Sequence, residues 1–170
     1  DMKSLTHYIQ EKLVINSLQE KLVINSLQEK LVIKKSNQYY NYLPETREEL
    51  KAIIVKRIKD EGNEVDLNDI DTSKITDMSY LFAYTNFNGN ISNWDVSNVT
   101  NMEYMFYDCK SFNKDISQWD VSKVTNMHGM FLGCNKFNKD ISNWDVSNVN
   151  NTNNMFAGCL IEAKYKPKSK

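Results

Sequence analysis

Glycine and proline are scarce in this chain, five and two among 170 residues, and that scarcity argues against a disordered linker. No stretch reaches the roughly 18 consecutive apolar residues of a membrane span. Nothing resembles the basic, apolar and small-residue sections of a signal sequence, although a chain that opens on Asp1 leaves export undecided. Neither sign of charge dominates: the formal net charge is -1 and the pI is near 6.2. The electrostatic footprint that phosphate backbones require is therefore missing, and nucleic acid is not an expected partner. Cysteines number three, which cannot pair completely within one chain. Histidines number two, His7 and His128, neither with a partner the sequence can point to. Tetrahedral zinc wants four converging ligands, so no metal site and no cofactor is expected. The length allows one ordinary domain.

What the chain does have is repetition. Phe87, Phe112 and Phe137 lie 25 residues apart, as do Trp94, Trp119 and Trp144, and Phe106, Phe131 and Phe156. A weaker copy precedes them: Ile70 to Met78 stands 24 residues before Trp94 to Met102, one residue having been lost between Tyr84 and Phe87. About four units are present in all. Periodicity of this length marks a repeat architecture, in which no unit can bury its apolar residues alone and stacked units share one core.

A second repeat lies nearer the front. Glu-Lys-Leu-Val-Ile-Asn-Ser-Leu-Gln occupies 11–19 and again 20–28, and its first five residues recur at 29–33. Nine residues advance a helix by two and a half turns, so equivalent side chains in successive copies point to opposite faces. An odd period has the same defect in a strand. Segment 1–41 therefore reads as a duplication without structural phase, helical or poorly packed. Residues 42–62 read differently. Thr46-Arg-Glu-Glu49 has the form of a capping box after Pro44, and Leu50, Ile53, Ile54 and Ile58 follow it. Lys56, Arg57 and Lys59 crowd the far end, with Gly62 just past it. The pattern predicts a helix over 46–61 that covers the N-terminal end of the repeats.

For the repeats themselves, residues 63–161, the expected fold is an α+β solenoid of four coils. Segments such as Asp115 to Ser122 carry β-branched and aromatic residues and would form short parallel strands about 4.8 Å apart. Thr125 to Cys134, with Met127, Met130, Phe131 and Cys134 at helical spacing, would form the returning turn or short helix. Beyond the last coil, Tyr165-Lys-Pro-Lys-Ser-Lys170 echoes Tyr42-Leu-Pro-Glu-Thr-Arg47. Residues 162–170 are thus expected to begin a further module, the chain being a fragment of a longer tandem array.

Several columns could carry function. Trp94, Trp119 and Trp144 are core if they point inward; if outward, they form an aromatic platform for a protein or glycan partner. Asp95, Asp120 and Asp145, joined by Asp115 and Asp140, could bind a divalent cation, or could satisfy backbone donors at turns together with the serines that follow. Asn88, Asn113 and Asn138 read as amide ladders. Cys109, Cys134 and Cys159 form a column of small buried hydrophobes, with one disulfide as the other reading. A repeated column multiplies equivalent groups where an active site needs distinct ones, so the chain is not expected to be an enzyme.

The unit Phe-Asn-x-Asp-Ile-Ser-x-Trp-Asp-Val-Ser-x-Val-Thr-Asn-Met-x-x-Met-Phe-x-x-Cys, best seen at 112–134, resembles the repeat of BspA-like leucine-rich bacterial surface proteins and of the DUF285 family. The resemblance covers roughly residues 42–170. It implies a leucine-rich-repeat-like solenoid at the cell surface or secreted, with a role in adhesion or protein binding. It brings no ligand or binding residue with it. Thr85, at the Cys position of the first coil, and Thr152, at the Met position of the last, depart from the pattern. The other reading is a structural spacer in a surface array, without a specific ligand.

Overall fold

The computed structural model describes residues 40–168. The chain divides into two compact units, Asp1–Leu43 and Pro44–Lys170, and the 25-residue repeat belongs wholly to the second. The nine-residue repeat lies outside the described residues.

The second unit opens on α1, Arg47–Glu61. Its N-cap is Thr46, whose side-chain oxygen accepts from the backbone N–H of Glu49 at 3.2 Å. Glu49 reaches back to the N–H of Glu45 at 2.7 Å, closing the box one residue earlier than the usual pattern. At the other end Gly62, in the left-handed region at φ 91°, donates to the carbonyl of Ile58. Leu50 and Ile54 are buried. Arg57 holds the C-terminal turn in place through Asp69, at 2.9 and 3.1 Å, and the Asp66 carbonyl at 3.0 Å.

The repeats follow, and here the expected parallel-strand, leucine-rich-repeat-like solenoid is not seen. Among the described residues there is no sheet. Isolated parallel bridges join Asp77 to Asn101, Asn101 to Asn126 and Asn126 to Asn151. The physical reason lies in the segment taken for a strand. Asp115 accepts the N–H of Ser117 at 2.9 Å, and Asp120 that of Ser122 at 3.1 Å. The N–H groups of Trp119 and Val124 then turn back to the carbonyls of Ile116 and Val121. Two successive turns of this kind, each led by a carboxylate that captures the donor two residues on, use up locally the N–H groups that a strand would offer sideways. The β-propensity of Ile, Trp and Val is overridden.

What joins one unit to the next is a different ladder. The N–H groups of Met102, Tyr104, Phe106 and Asp108 donate to the carbonyls of Asn126, His128, Met130 and Leu132 at 2.8–2.9 Å. Met127, Gly129, Phe131 and Gly133 repeat the pattern onto Asn151, Asn153, Met155 and Ala157 at 2.8–2.9 Å. Met78, Tyr80, Phe82 and Tyr84 open it onto the second coil. The segment predicted as returning turn or short helix is thus a run of turns, whose alternate N–H groups all face the following coil.

Inside, the side chains stack in register. Phe82, Phe106, Phe131 and Phe156 lie 5.4, 5.4 and 5.7 Å apart with rings within 6° of parallel. Phe87, Phe112 and Phe137 form a second column. Each unit joins the two columns, as at Phe106 and Phe112, 4.1 Å apart. The one-residue deletion in the first coil is absorbed at the corner. Phe112 and Phe137 donate their N–H to the carbonyls of Cys109 and Cys134, whereas Phe87 donates to the hydroxyl of Thr85 at 3.3 Å. Thr85 stands where later coils have cysteine because a side-chain oxygen completes the shorter turn.

A ladder that runs one way leaves carbonyls uncovered on the first coil. Arg47 of α1 donates to the Ser79 carbonyl at 2.7 Å, and Lys51 donates to the carbonyls of Tyr80 and Leu81. Ser79 and Leu81 are the counterparts of Glu103 and Met105, which accept from backbone N–H groups. Two cations thus stand in for a missing coil. Replacing Lys51 by Met is expected to leave the Leu81 carbonyl without its donor and to cost about 1–3 kcal/mol, measured by urea unfolding. A loss no greater than that of an exposed Lys59→Met control would refute the capping role.

Candidate functional site

Of the two readings of the tryptophan column, the structure takes the inward one. Trp94, Trp119 and Trp144 are each only 4% exposed, so they offer no platform to a partner. Their indole nitrogens donate across the stack to the preceding coil: to the carbonyls of Leu67 at 2.9 Å, Ile91 at 3.1 Å and Ile116 at 3.2 Å. A buried Trp needs a partner for its N–H, and here that partner rivets two coils together.

The acidic column is exposed and occupied with turns. Asp95, Asp120 and Asp145 accept from the N–H groups of Ser97, Ser122 and Ser147 at 3.0–3.1 Å. Asp140 does the same for Ser142. Asn90 takes the place of Asp115 one coil earlier and accepts from Ser92 at 3.1 Å, so the position asks for an acceptor and not for charge. Among the described residues no group of three or more His, Cys, Asp or Glu side chains is arranged to hold a metal ion.

The three cysteines are free. Each thiol faces a carbonyl of the preceding coil, Phe87 at 3.3 Å, Phe106 at 2.8 Å and Phe137 at 3.4 Å. Burial pushes all three thiols above their ordinary pKa, which removes the thiolate that nucleophilic chemistry requires. The asparagines form the expected ladder: Asn88 accepts from the N–H of Asn113 at 2.9 Å, and Asn113 from that of Asn138 at 3.0 Å.

The surface that stands out is one that the sequence columns did not name. Tyr80 and Tyr84 are 39% and 69% exposed, and they meet Tyr104 and Tyr107 of the next coil at ring distances of 5.1 and 4.8 Å. Tyr104 lies 5.2 Å from Tyr107, and edge-on to His128 at 4.8 Å. The Tyr104 hydroxyl and His128 Nε2 are 2.6 Å apart. The four tyrosines and His128 therefore make one continuous aromatic patch across three coils.

This patch is held on unusual backbone. Tyr80, Tyr104, Gly129 and Asn154 are successive copies of one position, with φ of 58°, 51°, 57° and 55°. Tyr84 has φ 61°, and its counterparts are Asp108, Gly133 and Gly158 at 53°, 74° and 68°. Left-handed backbone costs a residue with a side chain about 1–2 kcal/mol, and glycine is its natural occupant. Three tyrosines stand where glycine or asparagine serves the fold better, which points to a use for their rings. Gly129 completes the arrangement: a Cβ there would lie 2.3 Å from Tyr104 Cε1, so its bareness gives the ring room to lie flat.

The Tyr80 and Tyr84 phenols stay protonated at neutral pH. Burial, with Glu103 next in strength, raises the pKa of Tyr80, and a hydrogen bond with Tyr107 raises that of Tyr84. The patch thus offers π faces and neutral hydroxyl groups, the chemistry of a recognition surface.

The family model described as "Mycoplasma protein of unknown function, DUF285" matches residues 51–166. No curated protein and no solved structure matches the chain. Among the described residues no helix is long and apolar enough to cross a membrane.

Two outcomes check these assignments. Trp119→Phe keeps an aromatic ring but removes the indole N–H from the Ile91 carbonyl, which retains the backbone N–H of Trp94, and should cost about 0.5–1.5 kcal/mol; iodide should quench the indole fluorescence of the parent weakly, and strong quenching would contradict the burial. Hydrogen bonds from the following serines hold Asp115, Asp120 and Asp140 below the usual carboxylate range. Their contribution is present above the unfolded pKa of about 4 and is lost as pH falls through the lower folded values. A D115N/D120N/D140N variant keeps the turn acceptors without the charge. Its melting temperature should decline less steeply on acidification than that of the parent, and parallel curves would count against the linkage.

Proposed function

The chain belongs to the DUF285 family, and we propose that it is a non-enzymatic bacterial surface repeat module for protein interaction or adhesion. The observation that carries this reading is the exposed tyrosine patch on left-handed backbone. Aromatic side chains are enriched among interface anchors, and their rigidity lowers the entropy lost on binding. Likeness of the repeat to BspA-like bacterial surface proteins supports a cell-surface or secreted location and a protein or glycan as partner.

The spacer reading has its own support. Trp94, Trp119 and Trp144 face inward, and the rows of Asp, Asn and Ser outside are engaged in turns and ladders. On that reading the faces carry no particular ligand.

The deciding experiment presents the labelled chain to a panel of immobilised extracellular-matrix proteins and mucin glycans, beside a Y80S/Y84S/Y107S variant. The interaction reading expects saturable binding that the variant loses at least about tenfold, which corresponds to 1.4 kcal/mol, while its melting temperature stays close to that of the parent. Equal binding by the variant would remove the patch from the account. No binding across the panel would favour the spacer.

A further inference from the structure

Glu103 lies within the tyrosine patch and has no counter-ion among the described residues. Its backbone carbonyl accepts the Tyr80 N–H at 3.0 Å, its own N–H goes to Asn101 Oδ1 at 3.1 Å, and the next residue is Tyr104. Among the described residues no cation and no hydrogen-bond donor engages its carboxylate. Its charge nevertheless reaches the rings, being second only to burial in raising the Tyr80 phenol. Asp108 acts on Tyr84 in the same direction, behind burial and the hydrogen bond with Tyr107. The Asp108 ion pair with Lys110 is 3.4 Å long and largely solvated, so it compensates the charge weakly. The basic side chains of α1 that approach the first coil are committed elsewhere, Arg47 to the Ser79 carbonyl and Lys51 to those of Tyr80 and Leu81.

The rings are also set differently from those of the core. Phenylalanines of successive coils lie within 6° of parallel and cover one another's faces. Tyr80 and Tyr104 meet at 34°, Tyr104 and Tyr107 at 48°, and Tyr84 and Tyr107 at 59°. Inclined rings leave parts of their faces uncovered and form the walls of a shallow cage, not the flat platform on which a sugar ring stacks. An aromatic face attracts a cation, and a carboxylate beside it strengthens that attraction while opposing an anion.

Resting on the reading of this patch as a recognition surface, we propose that its ligand is cationic: an arginine side chain exposed on a partner protein, with the guanidinium against the tyrosine faces and paired with Glu103. Arginine suits the site better than lysine. Its planar, weakly hydrated head stacks on aromatic faces and presents a fork of donors to a carboxylate.

The test titrates the whole chain at neutral pH with a capped heptapeptide in which arginine alternates with glycine, followed by NMR of the tyrosine ring protons. One control peptide carries citrulline, which keeps the size and hydrogen bonding of arginine and drops its charge; another carries lysine. Saturable shifts are expected at Tyr80, Tyr84, Tyr104 and Tyr107, with affinity about tenfold lower for the citrulline peptide. Glu103→Gln should weaken binding about threefold, whereas Asp120→Asn, the same change of charge in an Asp-x-Ser turn, should leave it unchanged. No shift at millimolar peptide, equal binding of the arginine and citrulline peptides, or equal loss in the two variants would overturn the proposal. Lysine binding as tightly as arginine would overturn the choice of guanidinium. The recognition role itself fails by a different result, retention of matrix or mucin binding by the Y80S/Y84S/Y107S variant. Loss of that binding in the variant, beside a parent chain that ignores the arginine peptide, would overturn the cationic ligand alone.

Discussion

The ladder of four alternate N–H groups that each turn segment gives to the following coil is the constraint from which the rest of the repeat follows. A strand in a parallel sheet sends donors to both neighbours. Here the turn segment sends four alternate donors forward, while Thr100, Thr125 and Asn150 at its head donate back to the carbonyls of Thr76, Thr100 and Thr125. Alternate residues must be bent to aim every donor forward, and the left-handed positions at Tyr80, Tyr104 and Gly129 are the visible result. Register along the stack then leaves no choice to the side chains: phenylalanine lies over phenylalanine, and each indole or thiol finds a carbonyl of the coil before it.

The two faces of a coil divide the work. Where Asp-x-Ser turns run, side-chain carboxylates consume the local N–H groups, and the exterior becomes a lattice of short polar contacts. Where the ladder runs, the backbone is committed to the neighbouring coil and the side chains pointing outward are free to vary. The tyrosines sit on this second face, and so does His128, whose Nδ1 is buried without a partner. Variation in sequence with constancy of backbone is the arrangement expected of a surface that carries recognition.

Much of this was legible in the sequence. The 25-residue spacing of Phe and Trp anticipates the buried columns, and Thr46, Glu49 and Gly62 anticipate α1 to within a residue. The strands were misread because Ile116, Trp119 and Val121 have the propensity for them, while the competing effect is a pair of side-chain to backbone bonds that propensity ignores. The tyrosine patch was missed for another reason. Its members do not share one column, and left-handed backbone leaves no mark on a tyrosine. One signal was present: Tyr80 and Tyr104 align with Gly129 and Asn154, residues that favour positive φ, and an aromatic in that alignment is out of keeping with the turn.

The corner at Thr85 bears on how such a chain changes length. Its hydroxyl replaces a carbonyl and so tolerates the loss of one residue, but only there, between the end of one ladder and the start of the next Asn-Asp turn. Elsewhere a single insertion would slide every donor past its acceptor. Removing or adding all 25 residues of a coil, in contrast, restores each bond to an equivalent partner. The inheritable unit of size is therefore the whole coil, and unequal recombination between copies can lengthen or shorten the molecule without passing through a misfolded form.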